Sequence, residues 1–146
     1  MLLTMLGTKA PVERLLENAV TAQKTHNYTI TVSHLCILRE LQYALTLYNR
    51  GRIDTAVVPM KHIETKYGLS KYVISRNAVM LSKKEVQDAS MADGVRKGKG
   101  FLKVVPLKKS NILGDETYDT RNKGLQLTAK GEELCIVLFG SIIKEV

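Results

Sequence analysis

Apolar residues recur every three to four positions along several stretches of the chain, and each such stretch predicts a helix with one side turned inward. Leu15, Leu16, Ala19 and Val20 mark the first, over about residues 9–26. Thr8 is its expected cap, with Pro11 and Glu13 in the opening turn. Leu35, Leu38, Leu41, Leu45 and Tyr48 mark a longer one from Val32 to Asn49, capped by Thr31 (Ser33 is the alternative) and stopped by Gly51. Tyr28 to Val32 leads into it as an extended segment, and Ile53 to Val58 is β-branched enough for a small strand. Pro59 then opens a short helix, with Met60, Ile63 and Tyr67 on one side.

The next stretch, Gly68-Leu69-Ser70-Lys71-Tyr72-Val73-Ile74-Ser75-Arg76-Asn77-Ala78-Val79-Met80-Leu81, organises the rest. Gly68 and Leu69 make a turn, and Ser70 is a favoured N-cap. Val73, Ile74, Ala78 and Leu81 form the apolar side, while Lys71, Tyr72, Ser75, Arg76 and Asn77 crowd the first two turns of the other. A short helix, a glycine turn and a second helix polar at its N-terminal end form a helix-turn-helix pattern.

Further on, Ser82-Lys83-Lys84-Glu85 has the form of a capping box, so Val86 to Ala92 reads as a separate short helix or as a continuation of the one before. Gly94 ends it, ahead of the basic Val95 to Gly100. Phe101 to Leu107 is a strand, at a sheet edge because of Pro106. Lys108 to Asn122 is polar and turn-rich, and Leu125 to Thr128 is extended again. Thr128 caps a last helix over about 129–144, apolar nearly all round from Leu134 to Ile143. The predicted fold is mainly α with a small β wing (α+β), a winged helix-turn-helix in one domain spanning 1–146.

Composition narrows the function. The 45% hydrophobic and 25% charged residues of a 146-residue chain suit one globular domain with its own core. Six Tyr, two Phe and no Trp are too few for stacking platforms on single strands. The net charge is +8, of which residues 69–109 alone contribute +7, so a polyanion is expected at or after the second helix of the pattern. Cys36 and Cys135 sit in apolar helical patterns and read as core residues. His26, His34 and His62 are scattered, with His34 read as a capping or surface residue. No metal-ligand spacing, phosphate loop or nucleophile elbow occurs, so neither catalysis, cofactor nor metal is expected. No run approaches the length of a membrane span, and the apolar start is too short for a signal peptide, which leaves a cytoplasmic location as the expectation.

Leu69 to Arg76, with Leu81 closing the helix, resembles the recognition-helix segment of MarR-type winged-helix regulators. Asp119-Thr120-Arg121-Asn122-Lys123-Gly124-Leu125-Gln126-Leu127-Thr128-Ala129-Lys130-Gly131 resembles their wing, in which an Asp-x-Arg tip leads into a strand and a Leu-Thr-x-x-Gly helix start. The resemblance covers roughly residues 28–135. It implies a regulator of transcription that binds double-stranded DNA, with Arg76 and Asn77 reading bases and Ser70, Lys71, Tyr72 and Ser75 on the backbone. The wing would bring Arg121 to the minor groove and Lys123 to a phosphate, with Asp119 shaping its tip. The first and last helices would form a homodimer through Leu134, Val137, Leu138, Phe139 and Ile142. The chain departs from the family at residues 82–100, an insertion, and in having room for one helix rather than two after Thr128. The rival expectation is a winged helix that docks on a protein, through 82–100, with only non-specific DNA affinity.

Overall fold

A computed structural model describes residues 10–82, 85–87, 95–107 and 123–140, with 85–87 and 95–97 as backbone strands. Helix α1 runs Pro11–His26, with Pro11 in its first turn, Lys24 and His26 in its last, and Asn27 left-handed at its end. Thr8 lies outside the described residues. Leu15 and Ala19 turn inward with the buried Ala22, whereas Leu16 and Val20, also expected inward, are exposed together with Val12.

Helix α2 runs Val32–Asn49. Thr31 caps it: its hydroxyl accepts from the His34 N–H at 3.2 Å, and the His34 Nδ1 accepts from the Thr31 N–H at 3.3 Å. His34 is thus a capping residue, but a fully buried one. The core side consists of Ile37, Leu38, Leu41, Ala44 and Leu47, and it also takes in Glu40. Leu35 and Leu45 are only half-buried and Tyr48 is exposed, so the buried stripe is rotated from the leucine spacing.

Strand β1 is limited to Val58–Pro59; Ile53 and Ala56 are buried in the turn before it. Helix α3, Met60–Tyr67, ends at Gly68, whose φ of 66° is a left-handed conformation glycine adopts without strain. Helix α4, Lys71–Leu81, starts at Ser70, whose Oγ accepts from the Val73 N–H at 3.2 Å, and it buries Ile74, Ala78 and Leu81.

Of the helix expected over Val86 to Ala92, Val86 and Gln87 are not helical and the rest lies outside the described residues. Strand β2 (Glu85–Gln87) pairs antiparallel with β3 (Val95–Lys97). The Ser82 hydroxyl donates back to the Val79 carbonyl at 2.8 Å, so it closes α4 rather than capping a new helix. Strand β4 (Leu102–Pro106) pairs with β5 (Lys123–Leu127), Leu102 opposite Leu127 and Pro106 opposite Lys123. With β1 these form an antiparallel sheet of order β1-β5-β4, which puts Pro106 on an edge strand.

Helix α5, Ala129–Phe139, is capped by Thr128, whose Oγ1 accepts from the Gly131 N–H at 3.2 Å. Its apolar wrap has a local explanation: α5 lies against both α1 and α2. The Asn18 amide donates to the Leu138 carbonyl at 3.0 Å, and the Cys135 Sγ to the Leu38 carbonyl at 3.6 Å. Leu134, Leu138 and Phe139, expected at a dimer interface, are therefore buried within the chain itself. Among the interface residues expected on this helix only Val137 is exposed, next to the exposed Ile136; Ile142 lies outside the described residues. The architecture is mainly helical α+β, five helices with a small antiparallel sheet among the described residues.

Candidate nucleic-acid interface

The outer face of α4 follows from its inner one. With Ile74, Ala78 and Leu81 fixed against the core, the 3.6-residue period turns Lys71, Tyr72 and Arg76 to solvent. Tyr72 is 71% exposed, the reverse of what a tyrosine does when packing governs it. Ser70 is exposed beside them, its hydroxyl engaged as the cap. The first N–H groups of α4 and the positive end of its dipole gather at the same place, an arrangement that favours anions.

Two expected contact residues turn out differently. Asn77 is half-buried, its amide donates to the Val73 carbonyl at 2.9 Å, and its side chain stands beside His34. It is occupied inside the helix rather than presented to a base. Ser75 is half-buried too, its hydroxyl 4.0 Å from the Met60 sulfur. Lys123 is exposed at the start of β5. Lys103, which the sequence did not single out, is exposed on the neighbouring β4; its place on the outer side of an edge strand was the signal available. Asp119 and Arg121 lie outside the described residues.

Behind α4, one carboxylate ties α3 to α2. Glu40 is 1% exposed. Its Oε2 lies 2.9 Å from the His62 Nε2, and its Oε1 takes a hydrogen bond from the Tyr67 hydroxyl at 3.2 Å and one from the Lys66 ammonium. Burial by itself raises the Glu40 carboxyl, but the hydrogen bonds and charges of His62 and Lys66 outweigh it and bring it down to about 2. The Tyr67 phenol is pushed up to about 12, by burial and then by the Glu40 charge. His62, expected to stand alone, thus has a partner 22 residues away in sequence.

Burial pushes the Cys135 thiol up to about 12 and raises that of the half-buried Cys36 as well. His34 is held below its ordinary value by burial, with Asn77 opposing. Because its Nδ1 accepts from Thr31, its proton sits on Nε2, which is buried without a well-formed hydrogen bond. Among the described residues no three His, Cys, Asp or Glu gather as a metal site, and no helix is long and apolar enough to cross a membrane. No protein-family model, curated protein or solved structure matches the chain.

Proposed function

We propose that the chain is a winged helix-turn-helix protein, similar to the MarR-type regulators of transcription, that binds double-stranded DNA sequence-specifically as a homodimer. The observation that carries this reading is the outer face of α4, where Lys71, Tyr72 and Arg76 are exposed on a helix whose other face is fixed in the core. An α-helix fits a major groove about 12 Å wide. Arg76 then reaches guanine O6 and N7 in bidentate fashion, while Lys71, Tyr72 and the N-terminal backbone of α4 hold phosphates. Asn77 takes no base-reading part, because its amide is already used. The paired strands β4 and β5 serve as the wing, with Lys103 and Lys123 on them.

A second copy pairs through the exposed apolar residues Val12, Leu16 and Val20 of α1 and Ile136 and Val137 of α5. The two helices pack side by side, so these residues lie on neighbouring elements. Two-fold pairing would present two α4 helices to a two-fold operator. A cytoplasmic location belongs to the same proposal. The rival reading, a winged helix that docks on a protein, draws on the β2–β3 ribbon.

The test is selection of bound duplexes from a random pool, followed by binding of the selected and a scrambled duplex at several salt concentrations. Affinity should fall with a log–log slope of about −0.9 per phosphate contact. Arg76→Ala should cost about 1–3 kcal/mol and relax one operator position, and Lys71→Ala should weaken all sequences alike. Equal affinity for both duplexes, lowered equally by Arg76→Ala, would sink the base-reading role.

A further inference from the structure

Between α4 and β4 the described residues form a two-stranded ribbon rooted on the last turn of α4. The Lys99 N–H donates to the Met80 carbonyl at 3.1 Å, the Gly100 N–H to Ser82 at 3.1 Å, and the Phe101 N–H to Leu81 at 2.7 Å. The pairs Glu85 with Lys97, Val86 with Arg96 and Gln87 with Val95 carry on the register set by Ser82 and Gly100. Among the described residues no third strand joins it. Each strand of such a ribbon has an edge of N–H and C=O groups that a further extended chain can pair with.

The returning strand and its exit, Val95-Arg96-Lys97-Gly98-Lys99, carry three cations and no acid. More positive charge gathers at its foot. The Lys99 ammonium lies 5.5 Å from the centre of the Tyr28 ring; that of Lys130 lies 5.1 Å from the centre of the Phe101 ring and donates to the Lys99 carbonyl at 2.9 Å. His26 meets the edge of Phe101, ring centres 5.0 Å apart. It is held below its ordinary value by burial and then by Lys130, with Glu133 opposing and Lys99 adding to the lowering.

This foot is remote from the outer N-terminal face of α4. It sits at the Leu81 end of an 11-residue helix, about 16 Å from Ser70, and at the Leu102 end of β4, the opposite end from Pro106 and Lys123. Its charge is therefore not explained by the duplex contact proposed above. We propose that β3 is a docking strand for an acidic, extended segment of a partner protein, which adds to the edge of the ribbon, its acidity matched to the Arg96 and Lys97 in the sequence of that strand. Main-chain hydrogen bonds then supply affinity, and the charges select the partner and speed its approach.

The test uses the full chain and a labelled short peptide of Glu-Glu-Val-Val repeats, which puts carboxylates on both faces of an added strand. Its two controls are the same peptide N-methylated at alternate amides and one with Lys in place of Glu. The acidic peptide should bind, should protect β3 amides from hydrogen exchange, and should lose about tenfold or more in affinity in the Arg96→Glu, Lys97→Glu double variant. N-methylation or the Lys peptide should abolish binding, while melting temperature and duplex affinity stay unchanged in the variant. The proposal is overturned by no binding at millimolar peptide, or by equal binding of the N-methylated peptide. It is also overturned if the double variant loses duplex affinity to the same extent, since the ribbon would then belong to the nucleic-acid face.

Discussion

Replacing Glu40 by Gln keeps the shape of the side chain and removes its charge, which isolates what the carboxylate does between α2 and α3. The carboxyl moves from an ordinary value of 4.5 down to about 2 on folding, and at 1.36 kcal/mol per unit this corresponds to about 3 kcal/mol. Glu40 is 1% exposed, so solvent screens this little, and losing one partner of a buried pair reaches about 3–5 kcal/mol in other proteins. His62 is 19% and Lys66 46% exposed, so both can turn to water once the carboxylate is gone, which favours the lower figure. The folded carboxyl is the stronger acid. Its contribution is therefore complete above pH 4.5 and is lost as the pH falls toward 2. Denaturant unfolding of both proteins at pH 7 should give a difference of about 3 kcal/mol, and the difference should shrink toward zero between pH 4.5 and 2. A variant as stable as the natural chain at pH 7, or one with the same acid slope, would refute the argument that the charge, rather than the packing of α3, carries this joint.

The proposed dimer surface separates two kinds of substitution on α5. Ile136→Asp or Val137→Asp, like Leu16→Glu on α1, should give folded monomers by light scattering with weakened duplex binding, whereas Leu138→Ala should cost about 2–5 kcal/mol of stability whatever the oligomeric state. A monomer at high micromolar concentration in the unaltered protein would dismiss the dimer. Gly131→Ala should destabilise by at least about 1–3 kcal/mol in thermal unfolding, because its methyl would collide with the Phe101 carbonyl where α5 meets the root of β4; an unchanged melting temperature would contradict that close approach. Thiol titration of the native protein should find Cys36 reacting ahead of the buried Cys135. Equal rates would mean that α5 opens readily from α2.

What the sequence determined by itself was local chemistry. Thr31, Ser70 and Thr128 each start a helix, because a cap is a hydrogen bond to a backbone group three residues on and needs nothing distant. The outward turn of Lys71, Tyr72 and Arg76 was legible for a similar reason, being fixed by helical period once Ile74 and Leu81 face inward. Tertiary structure decided wherever two solutions were locally equal. Ser82 to Glu85 satisfies the pattern of a helix start, yet backbone groups of residues 99–101 pair with residues 80–82 and draw the segment into a ribbon. Glu40 lies on the buried face of α2 because donors from His62, Lys66 and Tyr67 on α3 meet it there, which no hydropathy period reports. Asn77, polar and early in its helix, has the pattern of a base contact, but its amide is bound to the Val73 carbonyl. Leu134, Leu138 and Phe139 looked surplus to a monomer because apolar excess on one helix does not say how many neighbours it has. Two of them, α1 and α2, flank α5, and only the residues that neither covers remain for a partner.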